Sequence, residues 1–178
     1  NNSNDIPLPV IINDPLKYLH KTDIELQRFN KVPSVGFCGQ IDSNFIVSVF
    51  KFFRLTWKQF LFISGLSYRY SGPITPPTLL RKRVLNILEK SNKLDSRFIP
   101  RQKYQGGVPR EDVLFNTIKK EFYQNINDTD YTVCIRGTGN FSARFYETLA
   151  VGRIPVFIDS DSTLPFNSEI DWKRHLVW

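Results

Sequence analysis

Short runs rich in β-branched and aromatic residues alternate along this chain with stretches whose apolar residues recur every three or four positions. The predicted strands are residues 32–39, 97–100, 131–135 and 154–158, and a further strand begins at 176–178. The predicted helices between them are residues 80–90, 114–122 and 141–149. This alternation is typical of a mostly parallel sheet with helices on both faces. The sequence therefore predicts an α/β fold, a Rossmann-like parallel sheet whose ligands bind beyond the carboxyl ends of the strands.

The segment from Phe45 to Ile63 is rich in Phe, Val, Leu and Ile and has roughly the 20 residues that a membrane span requires. Lys51, Arg54 and Lys58 interrupt it, and their spacing places all three on one face of a helix. We therefore predict an amphipathic helix with a basic face rather than a span. Such a helix either packs on the core, which is the more common case, or lies on a membrane surface.

Composition and charge narrow the classes of function. The chain has 178 residues, 41% of them hydrophobic and 23% charged, which is the balance of one globular domain and excludes disordered and fibrous classes. Its net charge of +7 favours an anionic partner, such as a nucleotide phosphate or an acidic lipid surface. The basic residues are scattered in small groups, which argues against a nucleic-acid partner. The two cysteines, Cys38 and Cys134, and two distant histidines predict neither a disulfide scaffold nor a bound metal.

Residues 134–147 contain a strand, a glycine-containing turn and the start of a helix. A helix N-terminus presents unpaired N–H groups and the positive end of the helix dipole, and small residues before it let a phosphate approach. Arg136 and Arg144 would donate charge-assisted hydrogen bonds to a diphosphate, and Glu147 would accept the hydroxyls of a ribose. The alternative is a plain turn followed by an i,i+3 ion pair. The motif is neither a Walker A loop nor a dinucleotide fingerprint, since Ser142 stands where the third glycine belongs.

Two acidic segments near the carboxyl end are candidates for ligand sites. Asp159 and Asp161 flank one residue, as in some metal sites, but the surrounding Ser and Thr are typical of a turn, and we predict no metal there. Asp171 and Trp172 would line a sugar site, because the C–H faces of sugars pack on aromatic rings. The alternative is that Trp172 anchors its loop in the core.

Several motifs follow one another in a fixed order from residue 131 onward. Residues 142–149 read Ser-x-Arg-x-x-Glu-x-Leu, residues 152–156 read Gly-x-x-Pro-Val, and Leu-Pro-Phe and Asp-Trp segments follow. This order resembles the carboxy-terminal half of the exostosin family of glycosyltransferases. Residues 81–107 resemble its bacterial branch, so the clear likeness covers about residues 80–178 and is weaker over 1–79. Thr148 stands where many family members have alanine, which affects only fine packing.

The resemblance implies the second, Rossmann-like domain of a GT-B glycosyltransferase, which would transfer a sugar with inversion and without an essential metal. By that likeness Arg144 would neutralise the diphosphate, Glu147 would hold the ribose, and Ser142 with the turn before it would face the phosphates. The implied nucleotide-sugar site comprises Arg136, Gly137, Ser142, Arg144, Glu147 and, as a weaker candidate, Arg101. No cofactor is expected, because the nucleotide-diphosphate sugar is the substrate. Its partners would be that donor and a glycan acceptor.

We expect residues 1–31 to be a linker or the edge of a missing acceptor domain, and 32–178 to be the nucleotide-sugar domain, with the chain cut at both ends. The catalytic base would lie in the missing domain, so none is named. Two alternatives remain, a non-catalytic nucleotide-sugar-binding module and a basic protein bound peripherally to a membrane or to nucleic acid. Two N-glycosylation sequons begin at Asn127 and Asn140. A glycan at the second would block the phosphate turn, which favours a cytoplasmic chain docked at the inner membrane surface.

Overall fold

A computed structural model of the chain describes residues 8–28, 30–41, 45–68, 74–137, 139, 141–160, 162 and 164–178. The helices in these residues are α1 (Pro15–Leu19), α2 (Phe45–Ile63), α3 (Pro77–Glu89), α4 (Val113–Asn127) and α5 (Ala143–Ala150). The strands are β1 (Ser34–Gln40), β2 (Asp95–Arg101), β3 (Tyr131–Cys134) and β4 (Ile154–Phe157). Short 3-10 helices are formed by Tyr104–Gly107 and Trp172–Arg174. The helix predicted over residues 45–63 is confirmed at both ends.

The strands form one parallel sheet in the order β2-β1-β3-β4. The chain moves outward from β1 to β2 and then returns across β1 to reach β3, so the direction of winding reverses between β1 and β3. A parallel bridge between Val156 and Val177 extends the sheet beyond β4. That bridge lies where the sequence predicts the start of a further strand. The predicted α/β fold with a parallel sheet is therefore confirmed.

Alternating side chains of the central strands pack against different helices. Val35 and Val133 lie in one apolar cluster with Leu85 of α3. Cys134, which points the opposite way because strand side chains alternate, packs with Phe145 of α5. Helices therefore cover both faces of the sheet, as the sequence predicts. The carboxyl edge of the sheet stays between these two layers.

The segment before β1 packs on the domain through a helix that the sequence pattern does not predict. Asp14 caps α1 by accepting a hydrogen bond from the N–H two residues later at 2.9 Å. Tyr18 packs on Tyr123 of α4 with ring centroids 5.1 Å apart. The buried Arg153 donates to the carbonyl of Glu25 at 2.7 Å and so holds the chain that follows α1. A single capped turn of helix is too short to give a periodic signal in a proline-broken sequence.

Asp130, in the loop before β3, fixes the start of β1 beside the start of β3. Its carboxylate accepts hydrogen bonds from the N–H and the hydroxyl of Ser34, each at 2.8 Å, and from Asn30 at 3.0 Å. Burial raises the pKa of Asp130, but these hydrogen bonds outweigh it and hold the pKa below its ordinary value. One carboxylate thus joins two strands whose residues are 96 positions apart.

Candidate functional site

The two central strands separate toward their carboxyl ends. Within the described strands, β1 and β3 pair at Val35 with Tyr131 and at Gly36 with Thr132, and no later pair follows. Beyond that point β1 stays in register with β2, and β3 with β4, to the ends of the strands. A gap therefore opens between β1 and β3, where the winding of the sheet reverses. In open α/β sheets this is the place where ligands bind.

Arg144, in the first turn of α5, reaches into this gap. Its guanidinium donates to the carbonyl of Cys38 in β1 at 2.6 Å and makes a longer contact with the carbonyl of Val133 in β3 at 3.4 Å. The guanidinium carbon lies 4.3 Å from the ring centroid of Phe37 and 5.4 Å from that of Phe122, which is the range of cation–π contacts. Burial lowers the pKa of Arg144. The charged guanidinium of Arg144 therefore joins β1 and β3 where the two strands no longer form backbone hydrogen bonds with each other.

Arg81 of α3 makes a second bridge between the same two strand ends. It donates to the carbonyl of Gln40, the last residue of β1, at 3.1 Å and to the carbonyl of Arg136, just after β3, at 2.8 Å. Arg136 is buried in turn and donates to the carbonyl of Thr75 at 2.8 Å. Burial, together with the neighbouring charges of Arg144 and Arg136, lowers the pKa of Arg81 to about 10. Three guanidinium groups thus share the carboxyl edge of the sheet.

The sequence pattern predicted Arg136 and Arg144 as site residues but not Arg81, which belongs to the small basic group of residues 81–83. The partners of Arg81 lie 41 and 55 residues away along the chain, so no local pattern indicates the contact. The available signal was its position on the helix that precedes β2, near the amino end of that helix. We call Arg81, Arg136 and Arg144 the arginine cluster.

Glu147 lies one turn after Arg144 and is buried. Its Oε1 atom accepts a hydrogen bond from the hydroxyl of Tyr123 in α4 at 3.2 Å. Burial raises the pKa of Glu147, and the charges of Lys119 and Arg144 and the Tyr123 hydrogen bond offset this only in part. Among the described residues Glu147 and Arg144 form no ion pair within 4.0 Å. The i,i+3 ion pair that was the alternative interpretation is therefore not what fixes these side chains.

The turn before α5 is closed by its own backbone. The N–H of Gly137 donates to the carbonyl of Phe141 at 2.9 Å, and Ser142 precedes the helix in an extended conformation without a capping bond from its side chain. A cavity of about 10 Å³, enough for about one water, is lined by Phe141, Ser142 and Phe145 among others. Residues 138 and 140, and with them the start of the second sequon, lie outside the described residues. Ser142 thus stands at the amino end of α5, on a small cavity that no side chain of the arginine cluster lines.

The weaker candidate Arg101 lies at the end of β2 and is held by α4. It forms an ion pair with Glu121 and donates to the carbonyl of Ile118 at 3.2 Å. Its side chain is 12% exposed, so the Glu121 carboxylate compensates a largely buried charge. The structure therefore brings Arg101 to α4 rather than into the arginine cluster.

The two sugar-site candidates, Asp171 and Trp172, have different surroundings. Asp171 is exposed and pairs with Arg174 at 3.2 Å. The indole nitrogen of Trp172 donates to the carbonyl of Pro165 at 2.8 Å, and its ring lies 5.4 Å from that of Phe145. Trp172 thus anchors its loop against α5, as the alternative interpretation had it.

In the part of the chain that the structure describes, no group of three or more His, Cys, Asp or Glu side chains could hold a metal ion. Asp161, half of the Asp-x-Asp pattern, lies outside the described residues, and Asp159 is exposed. Cys38 and Cys134 are buried and free, each in a strand.

The family model of the Exostosin GT47 domain matches residues 65–177, which include the whole arginine cluster and Glu147. Exostosin-1 of Drosophila melanogaster is 45% identical over 49 residues, which is 26% of this chain and 6% of the Drosophila protein. The aligned part is thus a small fraction of the length of that relative. No solved structure matches the chain.

Proposed function

We propose, since the chain belongs to the Exostosin GT47 family, that it carries the nucleotide-sugar site of a glycosyltransferase. The observation that carries the proposal is the arginine cluster at the carboxyl ends of β1 and β3. Three guanidinium groups meet there at the point where ligands bind in open α/β sheets. A diphosphate is the anion whose charge and oxygen-rich surface suit such a cluster.

Two guanidinium groups of the arginine cluster have a hydrogen-bond donor that no described residue uses. The Nε atoms of Arg81 and Arg144 are buried and have no hydrogen-bond partner among the described residues. Neither side chain forms an ion pair with a described carboxylate. A buried donor without an acceptor is costly, so an incoming phosphate oxygen is favoured by both charge and hydrogen bonding. We infer that Arg81 contacts the diphosphate, while Arg144, already bonded to strand carbonyls, acts on it mainly through its charge.

The proposed reaction transfers a sugar from a nucleoside-diphosphate donor to a glycan acceptor with inversion at the anomeric carbon. Negative charge builds on the leaving diphosphate in the transition state, and preorganised cations stabilise that charge most effectively in a site shielded from water. In this proposal the arginine cluster supplies the positive charge that a metal ion supplies in other transferases. Glu147 would accept a ribose hydroxyl with Oε2, because Tyr123 occupies Oε1.

The proposed location is the cytoplasmic face of a membrane. Asn127, the first sequon asparagine, is buried, and its side-chain oxygen accepts hydrogen bonds from Lys21 and Arg153 at 3.3 and 3.4 Å. A glycan at Asn127 would break these contacts. A compartment without N-glycosylation is therefore the environment that suits this chain.

Calorimetric titration with UDP and with GDP tests the proposal. We expect saturable binding that Arg81→Ala and Arg144→Ala each weaken by about 10- to 100-fold. The first removes a hydrogen bond to a charged group, which contributes about 1.5–3 kcal/mol, and the second removes a positive charge beside the diphosphate. Glu147→Ala should weaken binding as well if the ribose contact is correct. Arg83→Ala is the matched control, since Arg83 is an exposed arginine on the same helix as Arg81, and it should change the affinity by less than about threefold.

Two outcomes would count against this function. Binding of UDP or GDP that ignores all three substitutions would place the site elsewhere and leave the arginine cluster a structural bridge. Absence of binding by a chain that circular dichroism shows to be folded would contradict a donor site within these residues. If the chain binds one of the two nucleotides more tightly, the base of that nucleotide would indicate which nucleotide-sugars can serve as donor.

A further inference from the structure

Helix α2 presents an aromatic stripe that the rest of the described chain leaves uncovered. Phe50, Phe53, Trp57 and Phe60 recur at intervals of three and four residues and are 71, 65, 62 and 57% exposed. This spacing puts the four rings on one side of the helix. None of the described α2 side chains belongs to the apolar clusters that form the core. We call these four residues the aromatic stripe.

The opposite side of α2 is more covered but does not join the core. Lys51, Leu55 and Gln59, which follow one another at i, i+4 and i+8, are half-buried, while Phe52 on the same side is 44% exposed. Packing of α2 on the core, which the sequence predicted as the more common case, is therefore not observed among its described side chains.

Positive charge lies along the edge of the aromatic stripe. Arg54 and Lys58 are exposed and project from the side of the helix next to Phe50. Helix α2 contains no acidic residue, and the chain as a whole carries a net charge of +7. A partner that covers the stripe must therefore be apolar where it meets the rings and anionic where it meets Arg54 and Lys58.

We propose that α2 docks this chain on an anionic membrane surface, with the aromatic stripe in the boundary between headgroups and acyl chains. Trp and Phe on one face with Lys and Arg beside them is the composition of helices that lie in that boundary. A second copy of the chain is the less favourable occupant, because a symmetric contact would bring like charges of two α2 helices together. Within the described residues no helix has the length and apolarity of a membrane span.

Co-sedimentation with lipid vesicles tests this docking. The chain should bind vesicles of phosphatidylcholine containing roughly one-third phosphatidylserine far better than vesicles of phosphatidylcholine alone. The double variant Phe53→Ser/Trp57→Ser should lower the partition coefficient by more than about tenfold, because two aromatic side chains no longer leave water. Ile87→Ser is its matched control, since Ile87 is 62% exposed on α3, and it should leave the partition unchanged.

The charge contribution is measured separately. Arg54→Gln/Lys58→Gln should lower the partition to the mixed vesicles by about 25-fold, because one basic residue near an anionic surface contributes about fivefold. Lys93→Gln/Arg110→Gln removes the same net charge from exposed positions away from α2 and should have little effect. The fluorescence of Trp57 in a variant with the other two tryptophans changed to phenylalanine should shift to the blue on binding.

Several results would overturn the docking. Equal binding to both kinds of vesicle would remove the role of charge, and unchanged binding by a folded Phe53→Ser/Trp57→Ser variant would remove the role of the stripe. Concentration-dependent dimerisation abolished by that variant, without vesicle binding, would assign the stripe to a second copy of the chain. None of these readouts depends on nucleotide binding, so this inference is tested independently of the proposed function.

Discussion

Replacing Gly39 with alanine would test whether Arg144 fills the gap between β1 and β3. A Cβ atom at Gly39 would lie 2.6 Å from Nη2 of Arg144 and 3.5 Å from the ring of Phe37. The guanidinium cannot yield freely, because the same Nη2 atom donates to the Cys38 carbonyl and the group stacks 4.3 Å from the Phe37 centroid. Alanine at this position should therefore displace Arg144 and break its bond to β1.

The cost follows from the bond that is lost. A hydrogen bond from a charged donor contributes about 1.5–3 kcal/mol, so we expect Gly39→Ala to lower the free energy of unfolding by about 2 kcal/mol. With an m-value of about 2 kcal/mol/M in urea, the midpoint of unfolding should fall by roughly 1 M. Gly137→Ala is the matched control in the same part of the fold, because its Cβ would meet only the Phe141 carbonyl at 3.8 Å. That substitution should change the free energy of unfolding by less than about 0.5 kcal/mol.

Urea unfolding followed by circular dichroism, applied to a double-mutant cycle, is the assay. In an Arg144→Ala background the atom that a Gly39 side chain would strike is gone, so Gly39→Ala should cost much less there than in the original chain. The coupling free energy should be about 1–2 kcal/mol. A cycle in which Gly39→Ala costs the same in both backgrounds would refute the placement of the guanidinium beside Gly39.

Three further predictions concern other buried groups. Gly36→Ala should lower the free energy of unfolding by about 1–3 kcal/mol, because its Cβ would lie 2.5 Å from the hydroxyl of Thr129, which the end of α4 holds; chemical unfolding measures this. Glu147→Gln should make the free energy of unfolding decrease less steeply as the pH rises. Burial raises the pKa of this group above its ordinary 4.5, so the folded state binds more protons and the free energy of unfolding decreases as pH rises from about 4.5 through the folded pKa. Cys38 and Cys134 should resist iodoacetamide until the chain unfolds, as mass spectrometry would show, because burial raises both thiol pKa values, that of Cys134 to about 12.

Each of these has an outcome that contradicts it. A Gly36→Ala chain as stable as the original would mean that β1 and the end of α4 can move apart at little cost. If the Glu147→Gln and original chains lose stability in parallel as the pH rises, the decrease belongs to another group. Rapid labelling of either thiol in the folded chain would contradict its burial in the sheet.

The elements of this fold were predictable because their signals are local. The run that predicts a strand over 32–39 becomes β1 at Ser34–Gln40, and the apolar periodicity that predicts a helix over 45–63 becomes α2 with the same ends. Phe141 is an exception, since it was read as the first residue of a helical stripe and instead precedes α5. The hydrogen bond from the N–H of Gly137 to the carbonyl of Phe141 holds Phe141 in the turn. An apolar turn residue that lies three or four positions before the apolar residues of a helix has the same spacing as a helical residue, so the pattern alone cannot separate the two.

The site was less predictable because its geometry is tertiary. Its helix and two of its arginines were found from the strand–turn–helix pattern and the family motif. The direction of Arg144 depends on the separation of β1 from β3, a property of the sheet that neither strand encodes alone. The carbonyl partners of Arg81 come from two other parts of the chain. Local sequence thus indicates which groups are near the site, while packing decides what each group touches.

The pairing of β1 with β3 also has a consequence for synthesis on the ribosome. Ser34 emerges 96 residues before Asp130, the residue that fixes it beside β3. At a synthesis rate of about 5–20 residues per second, β3 emerges roughly 5–20 s after β1, so the edge of β1 that pairs with β3 has no partner during that time. During that time β1 can pair only with β2, which emerges earlier. The nascent chain therefore displays one open edge of the apolar strand β1 until β3 emerges, and chaperones that cover such edges should matter most at that stage.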